Sequence, residues 1–223
     1  MDIADTTAAR RSILARIRAA QGRSATPDAA EREAVADYLE RHPEGPRPPI
    51  EGDLVAHFVR EAQKMSSTVD EVEGLAAVPA AVERYLAQHN LPMQAVAWQT
   101  LDAFDWAAAG LSVEFRKPGD RDLVGLTGCF CAVAETGTLV LLSSPQTWAS
   151  GALLPETHIA VVPASRIVAG QEDAFALIRT ERGELPRAVN FVSGPSRTGD
   201  IEQTIVLGAH GPYRVHVVVV HGA

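Results

Sequence analysis

The sequence predicts an α/β fold, a three-layer sandwich around a mixed sheet, preceded by a helical N-terminal appendage. Three observations predict it. First, β-type apolar runs alternate with helix-period segments from residue 53 to the C-terminus. Second, two β-rich runs in mid-chain are separated only by Glu135-Thr136-Gly137, the spacing of a hairpin, so the strands are not all parallel. Third, nothing before the cluster Pro43-Glu44-Gly45-Pro46-Arg47-Pro48-Pro49 has strand periodicity, and such a cluster is extended and stiff. The divisions are therefore 1–42 as appendage, 43–52 as proline-rich linker and 53–223 as the α/β domain.

In order along the chain, residues 6–21 read as a helix capped by Thr6 or Thr7, with Ile13, Leu14 and Ile17 on one stripe and Gly22 as its stop. A second helix starts at Thr26-Pro27, a cap followed by proline at the first helical position, and carries Val35, Tyr38 and Leu39. Asp53–Met65 is helical with Leu54, Val55, Phe58 and Val59 inward. Strand patterns follow at Ser67–Val69, Met93–Trp98, Leu111–Phe115, Val124–Val133, Thr138–Leu142, His158–Val162 and Ile167-Val168. Helical patterns fall near Pro79–Gln88 and Glu172–Arg182. Ala188–Val192 and Val215–Val220 are continuous apolar runs, as in strands buried on both faces.

Composition bounds the function. The chain has 223 residues, 46% of them hydrophobic, enough for a packed core. Lys and Arg number 20 against 28 acidic residues, a formal charge of −8 that repels nucleic acid and anionic membrane surfaces. No apolar run reaches the roughly 18 residues of a membrane span, and the acidic start Met1-Asp2-Ile3-Ala4-Asp5 is not a secretory signal, so a cytoplasmic location is expected. The two cysteines, Cys129 and Cys131, lie two apart in an apparent strand and share a face. They read as small buried hydrophobes, with metal ligation or redox chemistry as the alternative; alone they cannot complete a four-thiolate site. There is no His-Glu-x-x-His, no paired Cys/His motif and no Walker loop, so no metal ligands are assigned.

The candidate chemistry lies in three loops. Gly194-Pro195-Ser196-Arg197-Thr198-Gly199-Asp200 follows the run Ala188–Val192 and precedes an expected short helix from Gly199 to Leu207, stopped by Gly208. Free backbone N–H groups at a helix start, with the guanidinium fork of Arg197, suit a carboxylate or phosphate. The competing reading is structural: Thr198 caps the helix, Asp200 complements its dipole, and Arg197 pairs with a nearby acid. His210, between Ala209 and Gly211-Pro212, is either a group that approaches a ligand closely or a turn histidine. His158 opens a strand and reads as structural. Glu135, flanked by Thr136, Gly137 and Thr138, is either a base or nucleophile beside an apolar wall or a solvated turn residue. If loops at one sheet edge meet, Glu135, Ser196, Arg197, Thr198 and His210 share a pocket, with Glu135 and His210 as catalytic groups and Thr136, Gly137, Ser196, Arg197, Thr198, Asp200 and Gly211 as ligand-binding groups.

The ordered set Val124-Gly125-Leu126-Thr127-Gly128, Ala134-Glu135-Thr136-Gly137-Thr138-Leu139-Val140, Leu154–Val162, Gly194–Glu202 and Gly208–Pro212 resembles the LUD-domain family over about residues 50–221. The resemblance implies an α/β/α sandwich with a mostly parallel sheet, similar to the phosphosugar-isomerase and CoA-transferase superfamily. It implies a role in oxidising lactate to pyruvate beside two iron–sulfur proteins, with the clusters in those partners and none in this chain. It assigns no catalytic residues. Two readings stay open: a cluster-free subunit that binds a small anionic ligand, or a stand-alone isomerase- or acyl/CoA-transferase-like enzyme using Glu135. A homodimer is compatible with either.

Overall fold

The computed structural model describes residues 6–50, 52–198 and 206–223. The chain divides into two compact units, 1–46 and 47–223. In the first, α1 (Thr7–Ala20) is followed by α2 (Ala29–Arg41), and neither helix contains a buried residue. The cap of α2 is Asp28, not Thr26: Asp28 accepts from the Glu31 N–H at 2.8 Å, and the Glu31 carboxylate accepts from the Asp28 N–H at 3.2 Å. The larger unit begins inside the proline segment. There Arg47 donates to Asp173 at 2.7 Å, and the same carboxylate oxygen accepts from the Gly170 N–H at the start of a later helix.

The larger unit opens with α3 (Leu54–Lys64), capped by Asp53, which accepts from the Ala56 N–H; Phe58 and Ala62, one turn apart, are its buried residues. There follow β1 (Thr68–Glu73), α4 (Val78–Gln88), β2 (Gln94–Ala97), β3 (Ser112–Glu114), β4 (Val124–Gly128), β5 (Cys131–Val133) and β6 (Thr138–Leu142). Then come α5 (Ser150–Leu153), β7 (Thr157–Pro163), β8 (Ile167–Val168), α6 (Gln171–Arg182) and β9 (Val189–Val192). The last strands are β10 (Arg197–Thr198), β11 (Val206–Leu207) and β12 (Arg214–His221).

Most strand pairings are parallel, and helices lie on both sides. Six strands form an all-parallel sheet in the order β1-β12-β7-β4-β2-β3. The central β12 is buried along Val215–Val220, which is why that stretch is a continuous valine-rich run. One face of this sheet packs on α4 through Val82, Leu86, Ile159 and Val218. The other packs on α3 and α5 through Phe58, Ala152, Ala160 and Val217. A second, mixed sheet, β8-β5-β6-β9, shares that latter core through Leu139 and Leu141 and covers its far face with α6.

Three expectations need correction. The run Val124–Val133 is not one strand: β4 belongs to the six-stranded sheet and β5 to the second, with Cys129 in the crossing between them. Cys129 and Cys131 therefore do not share a strand face. Ala188–Val192 is not a strand buried on both faces; β9 is an edge strand, antiparallel to β6, and all four of its residues are partly exposed. Leu207 is in a strand and not at the end of a helix. Val206–Leu207 pairs antiparallel with Arg197–Thr198, so Thr198 is a ribbon residue and not a helix cap. Asp200 lies outside the described residues.

Candidate functional site

The loop after β9 folds back along α3. Gly194 has φ +80°, and a Cβ there would lie 2.1 Å from the Met65 carbonyl oxygen, so only glycine permits the approach. Beyond it, the Ser196 N–H donates to the Pro212 carbonyl and the Gly208 N–H to the Ser196 carbonyl, each at 2.9 Å. Gly211 packs against the Ser196 side chain; a Cβ on it would meet Ser196 Cβ at 3.2 Å. Exposed Arg197 donates to Ser66 Oγ and, at 3.4 Å, to the Met65 carbonyl. Ser196, Arg197, Thr198, Gly208 and Gly211 thus form one constellation. His210, in the adjoining bend, is exposed.

This constellation stands at the amino end of the parallel sheet. Ser66 precedes β1, and Tyr213 precedes β12 and donates its N–H to the Glu156 carbonyl just ahead of β7. The expected placement at the carboxyl edge is therefore reversed. It rested on treating β9 as a member of the main sheet.

Glu135 lies elsewhere. It sits in the single 3-10 turn Ala134–Thr136, and its N–H donates to the Ala169 carbonyl at 3.0 Å. Gly137 ends that turn at φ +62°, with a hypothetical Cβ 2.1 Å from the Ala62 nitrogen, so the turn lies flat on α3. Half-buried Glu135 lines a recess of about 270 Å³ with Arg47, Pro48, Ile50, Leu54, Ala169 and Gly170. Its carboxylate has no hydrogen-bond partner among the described residues. Glu135 lines its recess with Leu54, the first residue of α3, whereas Arg197 donates to Met65, just past the last, and no described hydrogen bond or recess joins the two. The single pocket expected from the sequence is two places. A chain of hydroxyls runs between their loops: Thr136 Oγ1 to Thr138 Oγ1 at 2.7 Å, and Thr138 Oγ1 to Ser193 Oγ at 2.6 Å.

Two buried histidines stand near the amino ends of their strands. Fully buried His158 has Nε2 2.8 Å from Thr127 Oγ1, and its Nδ1 has no partner among the described residues. His216 lies 2.8 Å from Thr68 Oγ1 and stacks on Tyr85 with ring centroids 3.9 Å apart. Burial lowers both, each to about 4, so both are neutral at pH 7. The structural reading of His158 holds. His216 is a lone polar residue within the valine run, the one sign in the sequence of its buried hydrogen bond.

Residues 53–220 match the family described as LUD domain. Over 148 residues the chain is 36% identical to a protein named lactate utilization protein C from Exiguobacterium sp., covering 63% of this chain and 64% of that one. A protein of the same name from Macrococcus caseolyticus is 32% identical over 174 residues, 77% of this chain and 73% of the relative. For the Bacillus subtilis protein of that name the figures are 36% over 128 residues, 52% of this chain and 53% of the relative. The alignments with the Exiguobacterium and B. subtilis proteins span under two thirds of those relatives. A solved DUF162-family protein from Deinococcus radiodurans shares the fold, with a TM-score of 0.56 at 23% identity, over 78% of this chain and 99% of that one. No described helix is long and apolar enough to cross a membrane.

Proposed function

The chain belongs to the LUD domain family, and on that premise we propose that it acts in lactate utilisation as a cluster-free component of a lactate-to-pyruvate oxidising system whose iron–sulfur clusters reside in partner proteins. The observation that carries the reading is the shared name of the relatives, lactate utilization protein C, at 32% identity over 73% of one of them. The cysteines support the cluster-free part. Cys129 and Cys131 are the chain's two cysteines, too few for the four thiolates of an ordinary iron–sulfur site within one chain. In this reading the protein works in the cytoplasm. Its ligand is a small carboxylate, held by Arg197 with Ser196, Thr198, the backbone at Gly211 and the imidazole of His210. Arg197 supports this because it is exposed and, among the described residues, donates only to neutral oxygens, those of Met65 and Ser66. Affinity purification of the tagged chain from lactate-grown cells tests the proposal. Recovery of cysteine-rich iron–sulfur proteins is expected; their absence under anaerobic, low-salt conditions counts against it.

A second reading is favoured by one observation. Glu135 is a carboxylate with no hydrogen-bond partner among the described residues, in a recess lined by Arg47, Pro48, Ile50 and Leu54, and could serve as base or nucleophile in an isomerase- or acyl/CoA-transferase-like reaction. A covalent glutamyl adduct trapped on Glu135 would establish it. Turnover by the purified chain without adduct, unchanged by Glu135→Gln, would exclude it.

A further inference from the structure

A recess that shares no residue with the two loops above collects cations without acids. It holds about 520 Å³, and Lys117, Arg187, Ser143, Pro145, Trp148 and Ser150 line it. Lys117 follows β3, Arg187 precedes β9, and the others come from the stretch between the end of β6 and the start of α5. The walls are pinned from several sides. The Ser143 N–H donates to the Ala188 carbonyl at 3.0 Å and the Ala188 N–H to Ser143 Oγ at 2.9 Å, which fixes Arg187 beside the end of β6. The next turn is closed by the Ser144 N–H, which donates to the Thr147 carbonyl at 3.0 Å. The Trp148 indole donates to the Pro145 carbonyl, and the Trp148 carbonyl accepts from the Trp98 indole, each at 2.9 Å.

We propose that this recess is a second anion site and that it takes a phosphate monoester, with the phosphate between Lys117 and Arg187 and the organic group against Trp148 and Pro145. The first support is charge. No acid lines the recess, and neither Lys117 nor Arg187 has an ion-pair partner among the described residues. Arg47, Arg84, Arg116, Arg166 and Arg214 each have one. Glu114 and Asp122 turn to Arg116, at 2.6 and 2.7 Å, and not to its neighbour Lys117. Two cations facing one recess repel each other, and an anion between them removes that cost. The second support is the donor set. Ser143 Oγ accepts from Ala188, and Ser150 Oγ makes no hydrogen bond, so neither hydroxyl proton has an acceptor among the described residues. A phosphate monoester carries about −1.5 to −2 at pH 7 and three acceptor oxygens, which match an ammonium, a guanidinium fork and two hydroxyls. A monocarboxylate leaves one of the cations unmatched. The third support is size, since the recess falls within the roughly 300–1,000 Å³ of small-molecule sites.

Titration calorimetry of the full-length protein with phenyl phosphate at pH 8 tests the proposal. Binding of one equivalent with a Kd below about 1 mM is expected. Lys117→Gln and Arg187→Gln should each weaken it by about tenfold or more, the loss of one charged hydrogen bond. Circular dichroism should not change, because both side chains are exposed. If one variant misfolds, the other decides. Benzenesulfonate, of like shape but with a single charge, should bind about tenfold more weakly or less. Arg197→Ala should leave phenyl phosphate binding intact, which separates this recess from the carboxylate site proposed above. Absence of binding at about 10 mM phenyl phosphate overturns the inference. So does binding that both glutamine variants retain, that benzenesulfonate equals, or that Arg197→Ala abolishes.

Discussion

Glu135 and Arg197 flank the same helix at different ends: Glu135 lines a recess with Leu54, the first residue of α3, and Arg197 donates to the Met65 carbonyl just past its last. Their contacts with α3 assign them to separate sites, which a double-mutant cycle tests. Arg197→Ala should weaken binding of a small carboxylate such as lactate or pyruvate by ~1.5–3 kcal/mol, the range for a charged hydrogen bond, with little change in Tm. Glu135→Gln should leave that affinity unchanged, and the two effects should add in a double-mutant cycle. Titration calorimetry measures all four proteins. A coupling above about 1 kcal/mol would place the two groups in one site after all.

The glycines that let both loops close on α3 should be intolerant. Gly137→Ala and Gly194→Ala add a Cβ where backbone atoms of Ala62 and Met65 already stand at 2.1 Å, and both glycines have positive φ. Each should cost about 3 kcal/mol or more in urea denaturation. Gly110→Ala, at φ +74° with nothing within 4 Å, should cost only about 1 kcal/mol. Equal losses at all three would mean that the close packing contributes nothing.

His158 and His216 make stability pH-dependent. Both are lowered to about 4 by burial, below the ordinary 6.5, so the unfolded chain binds protons more readily. Their contribution is complete above pH 6.5, declines as pH falls towards 4, and then levels off, at most on the order of 3 kcal/mol per residue. Chemical denaturation between pH 8 and 4 should show this slope, reduced in His158→Gln. An unchanged slope in that variant would mean that His158 titrates normally.

Both cysteines, buried Cys131 and partly exposed Cys129, should react slowly while the chain is folded. Burial keeps the Cys131 thiol near 11 and raises Cys129 also, so disulfide exchange with an aromatic disulfide at pH 7.5 should be slow until denaturant is added. Metal analysis of anaerobically purified protein should find no stoichiometric iron or zinc. One equivalent of metal lost on Cys129→Ser would contradict this.

Deleting residues 1–46 should leave a cooperatively unfolding domain. None of the residues of α1 or α2 is buried, and the cut spares Arg47, whose bond to Asp173 ties the segment to α6. Differential scanning calorimetry of the truncated chain gives the answer. An insoluble product or a non-cooperative melt would show that the helices cover core surface.

What was legible in the sequence was whatever depends on local period. The valine run of β12, the Phe58 face of α3, the helices α1, α2 and α6, and the turn at Gly137 all announce themselves within a few residues. Division of the strands between two sheets does not, because Gly128-Cys129-Phe130 carries no breaker stronger than one glycine within an otherwise apolar stretch. The same gap misplaced the site. With β9 assigned to the main sheet, Ser196 and Arg197 fell at a carboxyl edge with a helix to follow. With β9 antiparallel on the second sheet, they fall at the amino edge, in a ribbon. The meeting of Ser196 with Gly211 agrees with the expectation that these loops come together, whereas the Gly208 bond to Ser196 does not follow from reading Gly208 as a helix stop.

Participation in lactate oxidation can be measured by lactate-dependent dye reduction in anaerobic extracts of cells that lack only this chain, with and without added purified protein. Most of the activity should be lost and should return with wild-type protein, and less of it with Arg197→Ala at limiting lactate. Extracts that oxidise lactate at the full rate without the chain would contradict that participation.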